Sequence, residues 1–147
     1  MAKWLLATPA LITYLRDPKS AAATWLATKS IHEIAVCGLS LAWIVATSDG
    51  PGVPAAARSA WRAQIASFRT KLALGHGTVL GLDLADLTGW EQIYHKPLSD
   101  PQFGEILAEE RFVVAQAFTK GLIYVSPQRA WLQTLATENA LVWEAVA

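Results

Sequence analysis

The stretch Lys3-Trp4-Leu5-Leu6-Ala7-Thr8-Pro9-Ala10-Leu11-Ile12 is the most informative in the chain. Lys3 to Leu6 is a short apolar run of the kind that forms a fully buried strand. Thr8 is a good helix cap, and Pro9 suits the first helical position because its missing N–H would be unpaired there anyway. The chain thus turns from strand to helix within two residues, and the helix is expected from Pro9 to about Arg16. A buried strand that feeds directly into a helix is the opening unit of an α/β domain.

The same alternation continues outward. Asp17-Pro18 restarts the chain, Ala21 to Ser30 reads as a second helix, and Glu33 to Cys37 as a second strand. Gly38 to Ser48 is apolar nearly all round, the mark of a buried helix, and stops at Asp49-Gly50-Pro51-Gly52-Val53-Pro54. From Ala55 to Leu74 the spacing Trp61, Ile65, Phe68, Leu72 lays one stripe along an amphipathic helix that Gly75 ends. Thr78 to Leu82 reads as a third strand. Asp83 and Asp86 look like the capped start of a helix carrying Leu87, Trp90 and Tyr94, which Pro97 closes. A helical region is expected from Ser99 to Lys120, stopped by Gly121, then a strand over Leu122 to Val125. A short helix over Gln128 to Ala136 and an edge strand within Leu141 to Val146 complete the pattern. Residues 1–147 are therefore expected to form one α/β domain, with a mainly parallel four- to five-stranded sheet and helices on both faces.

Composition agrees with a packed core. The 147 residues are 53% hydrophobic and 16% charged, which excludes disorder and a disulfide-stapled miniprotein. Twelve Lys+Arg balance twelve Asp+Glu, so any contact with a polyanion must be local. The single cysteine, Cys37, cannot pair within the chain and is read as a buried thiol in a reducing, cytoplasmic setting. The longest uncharged runs, Trp4 to Leu15 and Ile34 to Ser48, fall short of a membrane span. Arg16-Asp17-Pro18-Lys19 interrupts what otherwise loosely imitates a signal peptide. His32, His76 and His95 lack metal-ligand spacing, and Gly50-Pro51-Gly52 and Gly75-His76-Gly77 are turns, with no phosphate-loop motif present.

In a parallel sheet, ligands bind beyond the carboxyl ends of the strands. Those ends are Ala7-Thr8, Cys37 to Ser40, Asp83 and Ser126-Pro127-Gln128. The residues around them carry a family resemblance. Leu5-Leu6-Ala7-Thr8-Pro9-Ala10-Leu11-Ile12 resembles the opening of PIN domains, especially VapC-type toxins, in which an aspartate stands at the strand tip. Ala35-Val36-Cys37-Gly38-Leu39-Ser40-Leu41-Ala42-Trp43-Ile44 resembles their second signature, which ends on a glutamate. Glu110-Arg111-Phe112-Val113-Val114-Ala115-Gln116-Ala117, followed by Gly121-Leu122-Ile123-Tyr124-Val125, resembles the third. The three segments lie in the family's order, with Val79-Leu80-Gly81-Leu82-Asp83 between them.

The resemblance implies a Mg²⁺- or Mn²⁺-dependent endoribonuclease, usually a homodimer and often neutralised by an antitoxin. The acids that would hold the cation are changed here. Ala7 replaces the first aspartate, Trp43 the glutamate, and Gln128 stands near a position where an acid or amide is common. Glu110 keeps a carboxylate, and Thr8 and Ser126 supply hydroxyls beside it. One carboxylate with hydroxyls is a poor cage for a hard dication, so no cofactor is expected, with Mg²⁺ or Mn²⁺ at Glu110 if the chain is active. The leading reading is a degenerate VapC-like protein that binds RNA or a protein partner. The alternative is an active endoribonuclease toxin, with Ala7 an inactivating substitution or with Glu105, Glu109, Asp83 or Asp86 compensating. Against compensation, Asp83 and Asp86 read as caps, and Glu109 falls on a different helical face from Glu110.

Three further readings concern packing and surface. Glu110 aligns with Leu107, Val114 and Ala117, so it faces the apolar side, either paired there or part of a surviving pocket. Trp43 is read as core, filling the volume of a lost metal site, with a stacking platform as the alternative. Arg58, Arg62 and Arg69 share a helix face that is either solvated or contacts phosphate or an acidic partner.

Overall fold

The computed structural model describes residues 1–94, 108–139 and 141–146. The expected helices over Ser99 to Lys120 before Ala108, the Pro97 terminus and Glu105 lie outside these residues. The described elements run β1 (Trp4–Leu6), α1 (Thr8–Arg16), α2 (Ala21–Ala27), a 3₁₀ turn (Ile31–Glu33), β2 (Ile34–Cys37), α3 (Gly38–Ser48) and α4 (Ala55–Leu74). Then come β3 (Thr78–Leu80), α5 (Leu84–Tyr94), α6 (Ala108–Lys120), β4 (Ile123–Ser126), α7 (Ala130–Asn139) and β5 (Trp143–Ala145).

The strands form one sheet in the order β3-β2-β1-β4-β5, every pair parallel. β1 is central, with Leu5 opposite Ala35 on one side and Tyr124 on the other. All of β1 and β2 and most of β4 are buried, as strands covered on both faces must be. The chain order reverses across β1 and β4, so the crevice where a ligand belongs opens beyond Leu6 and Ser126.

Three packing choices position that crevice. On α4, Ile65, Phe68 and Leu72 are the buried stripe that their spacing predicts, and Trp61 is half-buried beside it. α1 packs against α2, α3 and α4, and α6 packs against α3 and α5. Gly121 adopts φ +65° at the end of α6, while the Leu122 N–H reaches back 2.9 Å to the Ala117 carbonyl. This is the left-handed cap that glycine adopts without strain, and it aims β4 back along β1.

Two expectations change. α3 is a helix over the expected residues, but its buried side chains are Ser40, Ile44 and Ser48, while Ala42, Val45 and Ala46 are exposed. Trp43 is 41% exposed and so is not core. The inward polar groups are satisfied, Ser40 by Thr8 and Ser48 Oγ by the Val45 carbonyl 2.7 Å away. α3 turns its serines inward, Ser40 onto Thr8 and Ser48 onto its own helix backbone, and leaves an apolar face outside.

Candidate functional site

The strand tips gather short polar side chains. Ala7 follows β1 directly, is fully buried, and its N–H donates to the Val125 carbonyl at 2.8 Å. Thr8 does not cap α1 through its side chain; Ala7 holds the cap position and makes no side-chain hydrogen bond. The Thr8 hydroxyl is used elsewhere. Its Oγ1 lies 2.7 Å from Ser40 Oγ and 2.8 Å from Glu109 Oε2.

Glu109 is therefore the carboxylate at the β1 tip, which corrects its placement away from the site. A helix that buried one face would separate Glu109 from Glu110. Instead Val113, Val114, Ala115, Gln116 and Ala117 are all buried in succession, so both glutamates of the first turn are enclosed. Sequence carries a faint signal of this: two acids opening a helix otherwise rich in buried small and branched residues. Burial pushes the Glu109 carboxyl above its ordinary range, with the Thr8 hydrogen bond opposing and the neighbouring Glu110 charge adding to the rise. Glu110 is also raised by burial, and the Arg129 guanidinium opposes that.

The other predicted positions divide. Ser126 is buried at the β4 tip, and its Oγ donates to the Pro127 carbonyl at 2.9 Å. Gln128 is exposed, and Trp43 lies on the outer face of α3. Cys37 is a buried thiol whose pKa is raised by burial, against backbone hydrogen bonds from Leu39 and Ser40. Asp83 and Asp86 are the cap that their spacing predicts. The Asp83 N–H donates to Asp86 Oδ2 at 2.9 Å, and the Asp86 N–H to Asp83 Oδ1 at 3.1 Å.

The donor set can be tested against a hard dication. Mg²⁺ and Mn²⁺ take several oxygens, with carboxylates carrying the charge. Ala7 has no donor, and Trp43 and Gln128 have no carboxylate. Among the described residues, no group of three or more His, Cys, Asp or Glu side chains could hold a metal ion. These residues do not fit the cage that the resemblance implies.

A second concave feature lies on the helical side. A cleft of ≈ 670 Å³ is lined by Tyr14, Arg16, Trp61, Gln64, Phe68 and Lys71 among others, from α1 and α4. Tyr14 and Phe68 meet edge to face at 5.3 Å, and Arg16 Cζ stands 5.0 Å over the Trp61 ring. The described lining holds Arg16 and Lys71 but no carboxylate. Arg58, Arg62 and Arg69 are not in this lining; Arg62 pairs with Asp49, Arg58 is half-buried and Arg69 exposed.

No protein-family model matches the chain. A search of curated proteins likewise finds no match. Solved structures do match. A chain of the DNA-bound VapBC of Salmonella typhimurium is similar over 100% of both chains, with TM-score 0.74 at 12% identity. A chain of Rickettsia felis VapBC2, bound to a promoter DNA fragment, gives 0.72 at 10% identity over 97% of each chain. A chain of Neisseria gonorrhoeae FitAcB gives 0.72 at 16% identity, covering 95% of this chain and 94% of that one. Among the described residues no helix is long and apolar enough to cross a membrane. With five parallel strands in the order 3-2-1-4-5 and a crevice at the β1 and β4 tips, the chain has the PIN-like fold of VapC-type toxin domains.

Proposed function

We propose that this is a noncatalytic or strongly weakened VapC-like domain that acts by binding a protein partner. The observation that supports it is the strand tip, where Ala7 offers no oxygen and no third acidic side chain joins Glu109 and Glu110 among the described residues. Metal-assisted phosphodiester cleavage needs a cation that both activates water and offsets charge on the phosphate, and two carboxylates make a weak hold for one.

The partner surface is the cleft between α1 and α4. Its aromatic floor suits a bulky apolar side chain, and Arg16 and Lys71 suit acidic neighbours on the same segment. The VapBC and FitAcB structures are complexes, and an antitoxin-like protein is the partner class they suggest. RNA is a weaker ligand in this reading, because the net charge is zero and Arg62 is engaged by Asp49. The exposed apolar face of α3, with Trp43 at its centre, supports a homodimer.

RNA incubated with the purified chain and Mg²⁺ or Mn²⁺ is expected to survive at the uncatalysed rate. Cleavage well above background that disappears in Glu110→Ala would replace this reading with the active endoribonuclease. Light scattering is expected to give twice the chain mass, falling to one in Trp43→Glu.

A further inference from the structure

Three helices begin at one place. Thr8 opens α1, Ser40 lies in the first turn of α3, and Glu109 lies in the first turn of α6. In a site built for a dication, the cation itself would tie these starts together. Here the side chains make the tie directly, through separations of 2.7 Å between the hydroxyls and 2.8 Å from Thr8 to the carboxylate.

The proton count gives the chain a direction. Each hydroxyl has one proton to donate, so both contacts are satisfied when Ser40 donates to Thr8 and Thr8 donates to Glu109. A carboxylate that accepts from a hydroxyl in this way makes a short, charge-assisted bond. All three side chains are buried, with Ser40 fully so. Ala7 supplies no carboxylate at the tip, where Glu109 and Glu110 are the acids present.

We infer that the Ser40-Thr8-Glu109 chain is a metal-independent clasp that joins the starts of α1, α3 and α6 where a divalent cation would otherwise sit. This deepens the noncatalytic reading, because it names what holds the same site together. Thr8 is then a positioning residue whose hydroxyl matters more than its bulk, and Glu109 matters as an acceptor more than as a charge.

Thermal melting in EDTA and in saturating Mn²⁺ tests it first. The clasp requires the same Tm in both, because a ligand bound only by the folded state raises Tm. Thr8→Val, which keeps the volume and loses the hydroxyl, is expected to lower Tm by ~5 °C. Thr8→Ser restores the hydroxyl and should recover most of that. Ser40→Ala added to Thr8→Val should cost little more, since the chain is already broken. A rise in the wild-type Tm with Mn²⁺ that Glu109→Gln abolishes would overturn the clasp, even if the Val variant fails to fold. Full additivity of the Thr8 and Ser40 substitutions would also overturn it. Mn²⁺ binding without RNA cleavage defeats the clasp alone, whereas cleavage defeats the noncatalytic reading.

Discussion

The strand tip and the corner between β3 and α5 each carry two acidic side chains, but the tip encloses both of its acids and the corner encloses only Asp86, leaving Asp83 half exposed. At the tip, Glu109 and Glu110 are held above their ordinary range, chiefly by burial. At the corner, Asp83 is held below its ordinary range, first by the Lys120 hydrogen bond at 3.0 Å and then by the Asp86 backbone. Asp86 beside it is 1% exposed but accepts from the Asp83 N–H at 2.9 Å and from Gln116 Nε2 at 3.3 Å. The difference is one of burial and of donors together. Lys120 and amide groups meet the corner acids, whereas Thr8 at Glu109 and the Arg129 guanidinium at Glu110 only oppose the burial of the tip acids. Burial raises a carboxylate, and an ammonium or amide within reach of an exposed one lowers it.

The largest effect is expected from adding an acid where donors are scarce. Ala7→Asp places a third carboxylate in a fully buried position beside two that already resist ionisation. An uncompensated buried charge should cost about 3 kcal/mol or more, read as a lower urea midpoint at neutral pH in EDTA. An unchanged midpoint would mean that the tip has donors to spare, and the contrast with the corner would collapse.

Next is the loss of the enclosed acid that caps α5. Asp86→Ala leaves the Gln116 amide only the Gly81 carbonyl at 2.8 Å and removes the reciprocal cap of α5, at a cost of about 2 kcal/mol. Asp86→Asn keeps one acceptor oxygen and should recover part of this. If both variants match wild type in denaturant, the corner is not held by these bonds.

The legibility of the two regions follows the same division. The corner was readable because capping is local: an aspartate and another three residues on suffice to name the bonds that Asp83 and Asp86 make. Strand and helix boundaries at Trp4–Arg16 and Ala55–Leu74 were readable for the same reason, as Pro9, Gly75 and the Trp61-to-Leu72 spacing act over one or two turns. The tip was not. Whether Glu109 or Glu110 meets Thr8 depends on how α6 is rolled between α3 and α5, and a helix buried on more than one face leaves no apolar stripe to fix that roll. Trp43 was misplaced for a related reason. An all-apolar helix shows no preferred inward face, and the inward serines are tolerated because Ser40 meets the Thr8 hydroxyl and Ser48 bonds to the Val45 carbonyl of its own helix.

A smaller effect comes from pH. For each tip glutamate the folded state binds its proton more tightly than the unfolded chain, whose carboxyl titrates near 4.5. Below that value both states are protonated and the burial carries no charge penalty. As pH rises through 4.5 the unfolded state ionises first, so stability falls until the folded carboxyls also ionise, and is flat beyond. Glu109→Gln with Glu110→Gln should remove this fall, making the variant the more stable protein at neutral pH by about 1 kcal/mol. Urea midpoints from pH 4 to 8 measure it. Parallel curves for variant and wild type would show that the tip acids are better solvated than their burial suggests.

The smallest effect is expected at the exposed edge of the corner. Lys120 reaches Asp83 at 3.0 Å and Asp86 at 3.9 Å, and the Asp83 side chain is half exposed. An exposed pair of this kind is weakened by ions, because salt at about 0.5 M screens charges beyond a few ångströms. Lys120→Met should therefore lower Tm slightly at low salt, and the gap to wild type should narrow as salt is added. Asp86 shifts the argument inward, since its enclosed carboxylate faces the same ammonium across less water. A gap that persists at high salt would mean that Lys120 acts mainly on Asp86, and would move this ion pair from the surface of the corner into its buried network.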